Sequence, residues 1–219
     1  VLSWFLLRGK CSKCKKNISI FHPVSEIVLG SMFAVTFCHV YNNTGSNNWL
    51  FVGIGLAVIV LYFFSVMDIF HGIVPNKQVY PVIIVMMWVR VVLSVKSPTP
   101  LYELLNYALA AAVYFSFFGV INFLSTRGLM PGVSGKKQGF GWGDAKYALL
   151  LGLLLGVRSM FVAMWVSIFA GGFISVILFL RSRNRNMAIP YVPFMSIGAW
   201  IAMLWGSEIA DTVLRLLLI

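Results

Sequence analysis

The sequence predicts an all-α membrane protein: a polytopic helical bundle with about seven membrane segments and a basic cytoplasmic loop at its N-terminus. Of its 219 residues, 60% are hydrophobic and only 11% are charged, and the mean hydropathy is +0.90. A soluble domain is roughly half apolar and about a quarter charged, so this chain lacks the polar surface that would cover a globule. The composition excludes a soluble enzyme, a disordered tail and a disulfide scaffold.

The apolar runs are long enough for membrane helices, since a helix needs about 20 mainly apolar residues to cross a bilayer. The predicted segments are Val24–Tyr41, Trp49–Met67, Gln78–Val95, Leu101–Leu124, Ala145–Val157, Ser159–Leu180 and Met187–Gly206. The fifth is short and interrupted by glycine, which indicates a partial or tilted crossing. The third contains Arg90, whose aliphatic stem we expect to carry its charge to the membrane interface.

The basic residues between the segments predict the orientation of the chain. There are 17 Lys and Arg against 6 Asp and Glu, a formal net charge of +11. The cation-rich stretches are Arg8–Lys16, the short turn at Lys77, the loop 125–143 and Arg181–Arg185. The intervening loops, 42–48 and 94–100, contain a single basic residue between them, Lys96. The positive-inside rule therefore places the cation-rich stretches in the cytoplasm. We expect them to contact anionic membrane lipid and no nucleic acid, since the chain has no polar face for a nucleic acid.

Two of the six acids lie beside a predicted cytoplasmic boundary, within Gly- and Pro-containing motifs. Asp68 ends the second segment in the sequence VMDIFHGIVPN, and Asp144 opens the fifth in GWGDAK. An aspartyl protease in a membrane needs at least two carboxylates at the same membrane depth. One of them activates water, and the other, in its protonated form, polarises the scissile carbonyl. The plain structural alternatives are a helix N-cap for Asp144 and, for Asp68, an interfacial acid paired with His71 or Lys77.

The residues around both aspartates resemble a known family. Gly141-Trp142-Gly143-Asp144 resembles the GxGD signature of intramembrane-type aspartyl proteases. Asp68 followed by Ile73-Val74-Pro75-Asn76 resembles the first aspartate motif of the bacterial type IV prepilin peptidases. Further stretches similar to this family are Val1–Trp4, Leu6–Cys14, His22–Glu26 with Gly30, Ile189–Phe194 and Gly198–Trp200. The resemblance covers nearly the whole chain.

The resemblance implies both a function and a location. Family members remove the short basic leader of type IV pilin-like precursors and of type II secretion pseudopilins. They cut at a glycine at the cytoplasmic face of the bacterial inner membrane. By this resemblance Asp68 and Asp144 are the catalytic pair, and proteolysis needs no metal.

Substrate binding is expected beside the two aspartates. We predict that Gly141 and Gly143 allow the backbone to approach a substrate strand closely, and that Pro75 and Asn76 also contact the substrate. The stretch Leu129–Gly139 is either a gate for the substrate or a slack connector.

Two cofactors follow from the resemblance or from short motifs. Many family members also methylate the new N-terminus with S-adenosylmethionine, and Glu26 and Gly30 resemble positions in that region. Cys11 and Cys14 form a CxxC pair, which supplies half of a tetrahedral zinc site. The family often carries a second CxxC pair, which would lie before Val1. A metal-binding pair and a reduced thiol pair both remain open.

The chain divides into a cytoplasmic basic loop with the CxxC, residues 1–23, and a transmembrane protease domain, residues 24–219. Because the chain begins at Val1 and not at Met, we expect an upstream piece. A small ion- or proton-coupled transporter is a rival interpretation, but its acids belong near the bilayer midplane on broken helices. A presenilin-like intramembrane protease shares the GxGD element. Its first aspartate follows a tyrosine, however, whereas Asp68 follows Met67.

Overall fold

The computed structural model describes residues 2–44, 48–95, 97–127, 141–182 and 190–217, and within these every regular element is a helix. In chain order the helices are α1 (Leu2–Leu6), α2 (Phe21–Thr44), α3 (Asn48–His71), α4 (Asn76–Val95), α5 (Pro100–Thr126), α6 (Trp142–Ser182) and α7 (Val192–Leu217). The six from α2 to α7 are long and apolar enough to cross a membrane. The prediction of an all-α, multi-pass membrane protein is confirmed. The predicted loop Leu129–Gly139 lies outside the described residues.

The contacts divide the chain into two compact units, residues 1–62 and 63–219, with the division inside α3. The predicted boundary between residues 23 and 24 separates a loop from the membrane part and stays a prediction.

The N-terminal unit begins with a small closed loop. The indole Nε1 of Trp4 donates to the carbonyl of Ile18 at 3.0 Å. A single antiparallel bridge joins Lys10 and Asn17. Gly9 has a φ of 72°, and a Cβ there would lie 3.0 Å from the Trp4 ring, so the turn requires glycine. The loop brings Cys11 and Cys14 onto one short turn.

In the second unit, α6 is a helical hairpin. Gly156 has a φ of 73° and a ψ of 177°, which divides α6 into arms of residues 142–155 and 157–182. Tyr147 on the first arm bonds Ser196, and Gly171 on the second lies against Tyr191, so both arms pass the start of α7. A straight helix would separate residues 147 and 171 by about 36 Å. The chain therefore reverses at Gly156.

This reversal explains the number of membrane segments. The described residues contain six candidate membrane helices, one fewer than the predicted seven, because α6 contains both the predicted fifth and the predicted sixth segment. The first arm is about 21 Å long at 1.5 Å per residue. It is therefore shorter than the roughly 30 Å hydrocarbon core, as its brevity in the sequence predicted.

Side chains of α4 and α5 satisfy the backbone groups that the hairpin turn leaves open. The Arg90 guanidinium donates to the carbonyl of Leu153 at 2.8 Å and also to that of Leu154. Its charge lies 3.8 Å from the centre of the Tyr107 ring. The amide of Val157 donates to Asn106 Oδ1 at 3.2 Å. The carbonyls at the end of the first arm have no partner within their helix, which explains why they accept from Arg90. The expectation that Arg90 reaches the membrane interface stays a prediction.

Small residues let α5 and the first arm approach closely. A Cβ on Gly152 would lie 2.6 Å from the Cα of Ala111, so the two backbones touch. Such contacts between small residues drive helix association in membranes. This contact fixes the position of the first arm, which carries Asp144, along the axis of α5.

Candidate active site

Asp68 lies in the last turn of α3. That helix ends at His71, and Gly72 follows with a φ of 61° while its amide donates to the carbonyl of Asp68 at 2.8 Å. This is the left-handed glycine cap that commonly ends a helix. The chain then turns through Val74 and Pro75 into α4, and the carbonyl of Pro75 accepts the first helical bonds. The Asp68 side chain is 6% exposed.

The carboxylate of Asp68 is held by the start of α7. Its Oδ2 accepts a hydrogen bond from the backbone amide of Val192 at 3.0 Å, and the Tyr191 amide donates to it as well. Amide groups at a helix N-terminus have no partner within their helix and attract negative charge. Asp68 therefore lies in the last turn of α3, while its carboxylate caps the N-terminus of α7, which starts 124 residues later.

Asp144 lies in the first turn of α6 and closes its own motif. Its Oδ2 accepts the backbone amide of Gly141 at 3.1 Å, and its amide donates to the Gly141 carbonyl at 3.1 Å. This is the reach-back half of a capping box, with Asp144 at the third helical position. The alternative that Asp144 is the N-cap residue itself is wrong, because α6 begins two residues earlier, at Trp142. The side chain is half-buried.

Two contacts join the motifs that carry the aspartates. A Cβ on Gly143 would lie 3.1 Å from the Cβ of Val74, so the turn after Asp68 packs on the backbone just before Asp144. The Lys146 ammonium donates to Asn76 Oδ1 at 2.7 Å. These two contacts place the motif of Asp68 against the motif of Asp144. Residues that are 76 positions apart in the sequence thus meet at one end of the bundle.

The predicted substrate-binding residues lie around this pair in different roles. Gly141 and Asn76 are exposed, Pro75 is half-buried, and a Cβ on Gly141 would meet nothing closer than 3.7 Å. Gly143 faces Val74 at packing distance. Contact of these four residues with substrate stays a prediction.

The remaining predicted residues belong to the N-terminal unit. Glu26 and Gly30 are exposed and one turn apart on α2. Backbone amides of Cys14 and Lys13 donate to the Cys11 sulfur and lower the pKa of its thiol. Among the described residues, no group of three or more His, Cys, Asp or Glu could hold a metal ion. Two thiols alone do not fit a four-coordinate zinc site, so no step is assigned to zinc.

Four residues around Asp68 were not among the predicted site residues, although two of them lie in the family-like stretch Ile189–Phe194. The Tyr191 and Val192 amides act through the backbone, and Tyr147 and Ser196 form a buried hydrogen bond of 2.6 Å. The Pro190-Tyr191-Val192-Pro193 sequence marks the start of a helix, but nothing in it indicates that the helix faces Asp68.

The arrangement suits acid–base chemistry on a carbonyl. It offers two neighbouring carboxyl groups, one buried and one partly open. Such a pair shares a proton readily, because two adjacent carboxylates resist ionising together. One group can then take a proton from water while the other donates to the carbonyl oxygen.

Two family models and several known proteins are similar to this chain. Residues 55–176 match the model of the type IV leader peptidase family, and residues 1–40 match that of the bacterial peptidase A24 N-terminal domain. Several similar proteins share the name prepilin leader peptidase/N-methyltransferase. That of Stutzerimonas stutzeri is 28% identical over 98% of this chain and 69% of its own length. The protein of Pseudomonas putida is 31% identical over 99% of this chain and 70% of its own length. The protein of Bacillus subtilis is 26% identical over 100% of this chain and 79% of its own length. No solved structure matches the chain closely enough to count as a relative. With more than half of its length matched by the family model, the chain belongs to the type IV leader peptidase family.

Proposed function

We propose that this protein is a membrane aspartyl endopeptidase that removes the short basic leader of prepilin or pseudopilin precursors, with Asp68 and Asp144 as its catalytic pair. The observation that carries the proposal is the packing of the two motifs that contain these carboxylates. Each carboxylate is also held by a backbone amide at a helix end. Family membership supports the reaction class, and the names of the relatives support the substrate.

The active site is proposed to face the cytoplasm from the bacterial inner membrane. Within residues 63–219, the start of α4, the end of α5 and the outer end of the second arm of α6 lie at the same end as the dyad. They carry Lys77, Arg127 and Arg181. The opposite end carries Glu103, which accepts from Ser97 at 3.3 Å, and Asp211, which pairs with Arg158 at 3.3 Å. The opposite end also carries Arg215, so the proposed orientation rests on the cation-rich loops of the sequence. Contact of the basic end with anionic lipid belongs to the same proposal.

In the proposed mechanism, the substrate backbone enters beside Gly141, and the scissile carbonyl lies between the two carboxyls. One carboxylate removes a proton from a water molecule while the protonated partner donates to the carbonyl oxygen. The water oxygen thereby bonds to the carbonyl carbon and forms a tetrahedral diol. As the C–N bond breaks, the carboxyl that took the proton of the water donates it to the leaving amine, and the other carboxylate takes a proton back from a hydroxyl of the diol as the new carbonyl forms. Asp68 keeps its orientation throughout because the Val192 amide holds one of its oxygens.

The test is cleavage of a purified prepilin by the full chain in detergent or vesicles, with Asp68→Asn and Asp144→Asn as variants. Both substitutions keep the shape of the side chain and remove its acid–base function. We expect each to lower the cleavage rate by at least about a thousandfold. Residues that act as one catalytic unit depend on each other, so the loss of one removes most of the rate enhancement of the unit. Asp211→Asn is the matched control, because Asp211 is exposed at the other end of α7. We expect this variant to cleave at the wild-type rate.

Full-rate cleavage by either dyad variant would contradict the assignment. An inactive wild type that conducts ions would instead favour a transporter. The position of both acids within one turn of a helix end already argues against that alternative, whose ligands belong near the bilayer midplane. The presenilin-like alternative is likewise disfavoured, by the match to the N-terminal domain model over residues 1–40.

We further propose that the same protein methylates the new N-terminus with S-adenosylmethionine bound near Glu26 and Gly30. The names of the relatives support this activity, and both residues are exposed on α2. Mass spectrometry of the cleaved product, with and without S-adenosylmethionine, reports the added methyl group. An unmethylated product in its presence would remove this second activity from the proposal.

A further inference from the structure

We infer that Tyr147 and Ser196 are positioning residues that fix Asp68 for catalysis through the first turn of α7. The inference rests on the proposed role of Asp68 and extends it to two buried hydroxyl groups outside the dyad. Neither hydroxyl needs to touch the substrate. Their effect passes through the backbone of Val192, whose amide holds the Asp68 carboxylate.

Tyr147 connects three helices of the site. It lies three residues after Asp144, and therefore on the same face of the first arm of α6. Its side chain is fully buried, with a relative exposure of 0%. Its ring lies 5.4 Å from that of Phe64, which is one turn before Asp68 on α3. Its hydroxyl lies 2.6 Å from Ser196 Oγ on α7.

The direction of the hydrogen bonds follows from the number of protons. Ser196 Oγ donates to the carbonyl of Val192 at 2.9 Å, and that carbonyl can only accept. Because a serine hydroxyl has one proton, Tyr147 must be the donor to Ser196. The Val192 amide in turn donates to Asp68 Oδ2 at 3.0 Å. The chain of contacts therefore runs from the helix of Asp144, through one residue of α7, to the other aspartate.

Burial makes this chain stiff. A buried hydroxyl that loses its partner pays the cost of desolvation without compensation, so each partner strongly favours the arrangement seen. Tyr147 and Ser196 thus restrict the movement of the Val192 backbone relative to Asp144. This contact sets the spacing of the two carboxyls by a route separate from the packing of Gly143 on Val74.

The test compares Tyr147→Phe, Ser196→Ala and the double variant in the prepilin cleavage assay. Loss of one net hydrogen bond of about 1 kcal/mol corresponds to roughly a fivefold lower kcat. We expect this fall in each single variant with KM unchanged, because the substrate is bound elsewhere. The double variant should be about as slow as the slower single variant, since both substitutions break one link. Ser196→Thr keeps the hydroxyl and should restore most of kcat.

Two matched controls separate positioning from general loss of packing. Ser167 is buried and donates to the carbonyl of Ala163, four residues back, as Ser196 does to Val192. Tyr114 is a buried tyrosine of α5. Ser167→Ala and Tyr114→Phe should leave kcat within about twofold of the wild type, which is near the lower limit of one hydrogen bond.

An activity-independent measurement distinguishes failure of this inference from failure of the proposed function. Amide hydrogen exchange at the start of α7 should be faster in Tyr147→Phe and Ser196→Ala, and unchanged in Ser167→Ala. A wild type that does not cleave prepilin would overturn the proposed function, and the exchange data would still test the network. Unchanged exchange, a wild-type kcat in Tyr147→Phe, or a double variant that multiplies the two single losses would each overturn the inference.

Discussion

At the scale of single residues, the two glycines of the GxGD motif have different surroundings. Gly143 lies against Val74, where a Cβ would approach the Val74 Cβ to 3.1 Å and its Cγ2 to 3.3 Å. Gly141 is exposed, and the nearest atom to a Cβ there is a backbone nitrogen at 3.7 Å. Gly143 therefore lets the two aspartate motifs pack closely, whereas Gly141 leaves space in front of Asp144.

Gly143→Ala should destabilise the protein and lower kcat. Overpacking of a close contact costs about 1–3 kcal/mol, and the displaced Val74 moves the turn that follows Asp68. Thermal unfolding in detergent reports the first effect and prepilin cleavage the second. Gly141→Ala should leave the unfolding temperature unchanged and affect only KM. Equal losses of stability in both variants would contradict the packing role of Gly143.

At the scale of the element, the hairpin of α6 determines how far Asp144 lies from the opposite membrane face. The first arm is anchored at one end by Lys146 on Asn76 and at the other by Arg90 on the carbonyls of Leu153 and Leu154. Both anchors are on α4, the helix that follows the Asp68 turn. The arm that carries Asp144 is thus fixed near both of its ends to the helix that follows Asp68.

Gly156→Ala should disrupt this hairpin. The backbone angles at Gly156 lie in a region that is essentially limited to glycine, and an added Cβ would lie 2.7 Å from the side-chain amide of Asn106. We expect a loss of about 2 kcal/mol in unfolding free energy from backbone strain, with a parallel loss of cleavage. Gly172→Ala, on the second arm with nothing within 4 Å of a Cβ, is the control and should be neutral or slightly stabilising. A neutral Gly156→Ala would mean that the chain does not reverse at this position.

At the scale of the whole molecule, the sequence predicts the class and most of the segments because apolar length and charge asymmetry are local properties. The break between the predicted fifth and sixth segments lies within two residues of Gly156, since Arg158 and nearby glycines interrupt the apolar run. Both aspartates could be singled out because acids are rare and lie at segment ends. The amide of Val192 and the Tyr147–Ser196 pair could not, because backbone donors and ordinary buried hydroxyls carry no pattern. The partners of Arg90 could not be predicted either, because they depend on which carbonyls the turn at Gly156 leaves without a helical partner.

The central claim is that the motifs of Asp68 and Asp144 form one active site, and cross-linking tests it most directly. Asn76→Cys and Lys146→Cys are introduced together, with Cys11, Cys14 and Cys38 replaced by serine, so both aspartates remain and cleavage can be checked first. A short bifunctional maleimide should join positions 76 and 146 within one chain, because their native side chains are 2.7 Å apart. The control pair, Asn76→Cys with Asp211→Cys at the opposite end, should not react. Failure of the first pair to cross-link in active protein would contradict the claim.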